Sequence, residues 1–184
     1  MKPVASLSSL LSLLFVATFC VAQQIPEMPT PTEEHQWLEK FVGQWTSVAK
    51  GSMGPGQEEF TCNGGQKSDM LGGFWLVSTG FGEPMGMTVH TQLTLGYDEE
   101  KEKFVGTWID STNAHMWKYE GTLDKQQDKL TLETEGPNMM GDGKVTKFRD
   151  SFQFKSADHY VMTSEMQDEN GKWQKFMSAD VRRK

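Results

Sequence analysis

Beyond Gly43 the chain keeps one period. Apolar and polar residues alternate with a repeat of two almost to the C-terminus. Turn-forming clusters such as Asp98-Glu99-Glu100-Lys101, Asp124-Lys125-Gln126-Gln127 and Asp168-Glu169-Asn170-Gly171 break the alternation at short intervals. The pattern predicts strands near 44–50, 57–63, 74–81, 87–95, 103–110, 115–122, 128–134, 144–154, 159–167 and 173–181. Short strands at hairpin spacing form an antiparallel meander, and closing the meander into a barrel removes its unpaired edges. The expected fold is all-β: an up-and-down barrel of about ten strands with one short N-terminal helix. Glycine-rich stretches at 51–56 and 64–65 are read as turns, because no Lys-Ser/Thr follows them as a phosphate loop requires.

The helix is expected just before the strands. In Thr30-Pro31-Thr32-Glu33, Thr30 can cap, Pro31 suits the first helical position and Glu33 completes a capping box. Trp37, Leu38 and Phe41 give a short apolar stripe, and Gly43 ends it.

Composition asks where such a barrel finds its core. The chain of 184 residues has 13 Leu, 2 Ile, 11 Val and 11 Phe, about 20% together, which borders on the disordered range. Ten of these lie before Gln23. The compensation is 12 Met, 6 Trp and 3 Tyr, nearly all of them after that point. An aromatic and methionine interior follows.

Met1-Lys2, the apolar run from Leu7 to Val21, and Cys20-Val21-Ala22-Gln23 have the layout of a signal peptide with a cut after Ala22. Residues 1–22 are therefore expected to be removed, with 23–31 a proline-rich tether and 32–184 a single barrel domain in the periplasm or secreted. A lipid anchor at Cys20 is disfavoured by bulky Phe19, and no membrane insertion is expected after cleavage. Cys62 is then left without an intramolecular disulfide partner, and its alternation with Phe60 suggests a buried small apolar residue. The net charge of −7 excludes a nucleic-acid partner on electrostatic grounds. Oligomeric state is left open. The basic end Arg182-Arg183-Lys184 is read as a solvated strand terminus.

One hairpin can be read to its register. Placing Asp110 opposite His115 across Ser111-Thr112-Asn113-Ala114 sets Trp108 against Trp117, Gly106 against Tyr119 and Phe104 against Gly121. These share the inward face. A barrel of this width often encloses a cavity, so Phe104, Trp108, Trp117 and Tyr119 are candidate lining residues, with Asp110 and His115 at the mouth. The expected ligand is a small apolar or amphiphilic molecule. Two rivals stand beside it: a solid-cored envelope or interaction module, and, more weakly, a hydrolase or isomerase using Asp110 and His115. No nucleophile motif accompanies that pair, and catalysis is the lesser expectation. Met85-Gly86-Met87, His90 and Met139-Met140 raise copper, but Met87 and His90 differ in strand parity, so no metal or cofactor is assigned.

Phe41-Val42-Gly43-Gln44-Trp45, Met53-Gly54-Pro55-Gly56, Leu71-Gly72-Gly73, Leu95-Gly96-Tyr97-Asp98, Trp108-Ile109-Asp110-Ser111 and Glu120-Gly121-Thr122-Leu123 occur in that order. As an ordered set they resemble the exported bacterial family called domain of unknown function 1579, from about residue 35 to the C-terminus. The resemblance implies a calycin-like barrel, akin to lipocalins, fatty-acid carriers and haem-binding nitrobindins, without an established activity. Many relatives carry Arg where this chain has Phe74, so a ligand contact from that position is not expected. The last strand, Met177-Ser178-Ala179-Asp180-Val181-Arg182, lacks the histidine a haem site would need.

Overall fold

Alternating side chains close a single sheet on itself. The computed structural model describes residues 28–52, 58–138 and 143–184. Met53-Gly54-Pro55-Gly56, Met139-Met140, the expected leader and most of the tether lie outside these residues. Helix α1 (Glu33–Leu38) and a single 3-10 turn (Glu39–Phe41) precede β1 (Gly43–Ser52), β2 (Glu59–Leu71), β3 (Trp75–Pro84), β4 (Val89–Asp98) and β5 (Lys103–Asp110). Then follow β6 (Trp117–Asp124), β7 (Lys129–Pro137), β8 (Val145–Ser156), β9 (His159–Gln167) and β10 (Trp173–Arg183). Each strand pairs antiparallel with its sequence neighbour, and β1 pairs with β10, which closes the barrel. The register inferred for the β5–β6 hairpin holds: Trp108 faces Trp117, Gly106 faces Tyr119 and Phe104 faces Gly121.

Three expectations are corrected. The helix starts at Glu33, with Thr32 rather than Thr30 as its N-cap. His35, not Glu33, returns the capping bond: its Nδ1 accepts the Thr32 N–H at 3.1 Å. Burial of the imidazole against the edges of Phe74 and Tyr97 holds it there. Next, Gly64 and Gly65 are not a turn but lie inside β2, which runs eight residues past its expected end at 63. A Cβ on Gly64 would sit 2.6 Å from the Phe81 carbonyl oxygen, so the close approach of neighbouring backbone requires glycine. Likewise Gly51 belongs to β1.

Arg183 is the third. It does not simply solvate a strand end; its guanidinium bonds the Val42 carbonyl at 2.6 Å, Asp158 at 2.8 Å and the Ala157 carbonyl at 3.0 Å. The same group stacks 4.2 Å from the Trp45 ring centroid. The final strand is thereby clasped to the helix segment and to the β8–β9 turn. Arg183→Ala should lower unfolding free energy by about 2 kcal/mol in urea titrations. Arg183→Lys should recover only part, because an ammonium lacks the planar fork.

α1 and the 3-10 turn cover one end of the barrel. Trp37 packs edge-on against Phe104 and Phe154, and its indole N–H donates to Asp128 at 2.7 Å. Phe41 meets Phe152, Phe154 and Tyr160. The β2–β3, β4–β5, β6–β7 and β8–β9 turns share this end; the β3–β4, β5–β6 and β9–β10 turns lie at the other.

Candidate functional site

The inward-facing residues divide the barrel into two halves. At the helix end Trp45, Leu76, Leu95, Phe104, Leu130 and Tyr160 are fully buried. Toward the opposite end Trp108, Trp117, Asp150, Met162, Met166 and Met177 face inward yet keep accessible surface. The β1–β3 wall there presents Ser47, Gly64, Gly80 and Gly82, which are too small to reach across. A Cβ on Gly82 would meet only the Cys62 Sγ, at 3.0 Å, and no atom of the far wall. The base of the barrel is plugged, and the upper half, where Trp108, Trp117, Met162 and Met177 pack against the core yet stay partly accessible, is the cup.

This placement sorts the residues singled out from sequence. Trp108 and Trp117 line the upper half, and Tyr119 sits at the boundary. Phe104 does not line the cup; it belongs to the base, edge-on to Trp37 and Tyr97. Asp110 and His115 lie at the end of the barrel opposite the helix, and no hydrogen bond or ion pair joins them. The Asp110 carboxylate instead accepts the Thr112 N–H at 2.7 Å, the Thr112 hydroxyl and the Asn113 amide. It shapes its own turn, so it does not orient an imidazole. His115 lies edge-on to Trp117 at 4.7 Å, with its Nε2 buried and unpartnered in the protein. Phe74 packs edge-on to His35 at the base.

Sequence reasoning missed the polar centre of the cup. Asp150 faces inward between Phe148 and Phe152. Tyr119 Oη donates to its Oδ2 and Ser164 Oγ donates to its Oδ1. Burial raises the Asp150 pKa, and the two hydroxyl bonds, which favour the charged form, offset only part of that. Burial, followed by the Asp150 charge, pushes the Tyr119 phenol well up. Thr134, also inward, buries a hydroxyl that has no partner in the protein. The signal available in sequence was a lone carboxylate on a phenylalanine face. Its partners lie 31 and 14 residues away.

The Asp150 shift has a consequence for stability. Folded Asp150 holds its proton to higher pH than the unfolded chain does, whose carboxyl titrates near about 3.9. Its contribution is therefore full below that value and is lost as pH rises through the raised folded pKa. Asp150→Asn removes this loss. Urea titrations from about pH 3.5 to 7 should show the variant gaining on the parent as pH rises; a constant or falling difference would contradict the assignment.

A concavity of about 570 Å³ lies on the outer face of β5–β8. Lys118, Glu120, Glu133, Glu135 and Lys147 border it. Two of its carboxylates are already paired, Glu135 with Lys147 at 3.8 Å and Glu120 with Lys101 at 3.0 Å. That groove is open and internally compensated, and the cup is the better candidate. Among the described residues no three His, Cys, Asp or Glu side chains group as a metal site. No helix among them is long and apolar enough to cross a membrane.

A closed ten-stranded antiparallel meander with a short helix across its base defines a calycin-like barrel. The model of the family described as "Protein of unknown function (DUF1579)" matches residues 30–183, and the chain belongs to that family. Among solved structures it is similar to Rv2717c from M. tuberculosis, at 15% identity and a TM-score of 0.60, covering 84% of this chain and 99% of that one. It is also similar to the S-type phycobiliprotein lyase CPES from Guillardia theta, at 14% identity and a TM-score of 0.53, covering 81% and 91%. At such identities the likeness speaks for the fold alone. No curated protein matches the chain.

Proposed function

We propose that the protein is an exported, non-enzymatic carrier or sensor that holds one small apolar or amphiphilic molecule in the upper half of its barrel. One observation carries this reading: inward-facing Trp108, Trp117, Met162 and Met177 keep accessible surface, whereas the equivalent positions near the helix have none. A solid-cored barrel would bury both sets alike. Exposed Met85, Met87 and Met116 on the rim turns supply an adaptable apolar approach to the mouth. The signal-peptide layout of the sequence over residues 1–22 supports export.

The test uses N-phenyl-1-naphthylamine, a neutral apolar dye, read by energy transfer from tryptophan. One saturable site per chain is expected, with transfer reduced several-fold in the Trp108→Phe/Trp117→Phe double variant. Gly82→Leu should fold normally and lose the dye, because its side chain enters the open lumen and displaces only the Cys62 thiol. A Gly82→Leu variant that unfolds would show a packed interior and favour the solid-cored module. Undiminished dye binding in a folded Gly82→Leu would place the dye elsewhere and overturn the proposal.

A further inference from the structure

We infer that Asp150 is the anchor of the cup and selects a protonated amine carried on an apolar or aromatic body. The inference rests on the lumen-binding reading above. Tyr119 and Ser164 each have one hydroxyl proton, and each spends it on a different oxygen of Asp150. What this cluster still offers the lumen is acceptor capacity: the remaining carboxylate lone pairs and the two hydroxyl oxygens. A ligand that meets it must donate.

The surrounding walls support the same sign. The residues paired with Asp150 across the sheet are Leu132 on β7 and Ser164 on β9. The neighbouring Arg149 faces outward and is bound to Glu165 at 2.7 Å. Among the described residues the other titratable groups on inward positions are Tyr119, Tyr160, Cys62, the rim residues Asp110 and His115, and, at the helix end, Tyr97 and Arg183. The one cation among them, Arg183, is stacked on Trp45 at the base and bound to Asp158 and the Val42 carbonyl, so among the described residues no lysine or arginine faces the carboxylate in the upper half. Trp117 and Phe148 stand 5.0 Å apart just above it, and aromatic faces attract ammonium groups. Thr134 pairs with Phe148 and is the diagonal neighbour of Asp150. Its buried, unpartnered hydroxyl is an independent sign that the site awaits a polar group. An anionic headgroup would face a carboxylate in a low-dielectric enclosure and be rejected.

Three ten-carbon probes that differ only in headgroup separate the possibilities: decylamine, decanol and decanoate, titrated calorimetrically at pH 7.5 into the purified protein. Decylamine should bind about tenfold or more tighter than decanol, and decanoate most weakly. Asp150→Asn should bring decylamine to the affinity of decanol while leaving decanol within about twofold. Ser164→Ala, which keeps the carboxylate but removes one donor, should weaken decylamine by less than Asp150→Asn does. Circular dichroism confirms that each variant is folded; should Asp150→Asn fail to fold, the headgroup ranking in the parent and in Ser164→Ala decides. If decanol binds but decylamine is no tighter than decanoate, the Asp150 assignment is overturned and the lumen reading stands. If none of the three binds, both fall.

Discussion

Gly121→Ala should prevent the barrel from closing in its present register. A Cβ at Gly121 would lie 2.1 Å from the Thr131 carbonyl oxygen and 2.7 Å from a Leu132 methyl. Gly106 is under the same constraint: its Cβ would lie 2.0 Å from the Thr94 carbonyl oxygen and 2.7 Å from a Leu95 methyl. Neither residue has a positive φ, so the requirement is space and not backbone conformation. Gly106 runs between Leu95 on β4 and Tyr119 on β6, while Gly121 runs between Phe104 on β5 and Leu132 on β7. Large side chains flank both glycines on both sides, which lets the strands bend sharply where the barrel turns its corner. The blocking atoms are main-chain oxygens of a neighbouring strand, which cannot swing aside. Either alanine should cost about 3 kcal/mol or more, read as a fall in the urea midpoint with little change in slope. A loss under about 1 kcal/mol would mean that the strands can separate at this corner, and the close approach would then not be what holds the glycines.

The same hairpin explains what was legible in the sequence. Trp117, Tyr119 and Gly121 alternate with Lys118 and Glu120, and a short turn sets Trp108, Gly106 and Phe104 opposite them, so period and register could both be read. β2 could not. Its segment Asn63-Gly64-Gly65-Gln66-Lys67-Ser68-Asp69 has no apolar face, because its inward positions are Gly64 on the sparse wall of the cup, Gln66, and Ser68, which is buried at the helix end against the Ser78 hydroxyl. Hydrophobic alternation fades where a strand faces a lumen or a polar cluster instead of a packed core. Phe104 was misplaced for a related reason. Parity assigns a face of a strand but not a depth along the barrel, and depth separates base from cup. The Asp150 cluster and the Arg183 clasp were hidden because both join residues far apart in the chain. Their hydrogen bonds follow from closure of the barrel, which no local pattern reports.

Depth along the barrel also sets the second large effect. Phe41 is 1% exposed and meets the ring edges of Trp37, Phe152, Phe154 and Tyr160 at centroid distances between 5.0 and 5.6 Å. Its carbonyl also accepts the Trp45 indole N–H at 2.7 Å. Phe41→Ala removes a whole ring from the centre of the plug. The rigid strands around it allow little collapse, so a loss of about 3–5 kcal/mol is expected. The backbone bond to Trp45 survives the substitution, and the damage should be a cavity at the base, not a detached helix. That makes the variant a probe of function as well as stability. The cup residues Trp108, Trp117 and Asp150 lie in the other half of the barrel and share no direct contact with Phe41. Effects at separate sites add, so folded Phe41→Ala should bind N-phenyl-1-naphthylamine within about threefold of the parent while its urea midpoint falls steeply. If dye affinity collapses while near-native circular dichroism persists, plug and cup act as one cooperative unit, and the two-half description fails. If stoichiometry doubles, the new cavity is itself a binding site, which would show that this interior accepts apolar guests wherever space is opened.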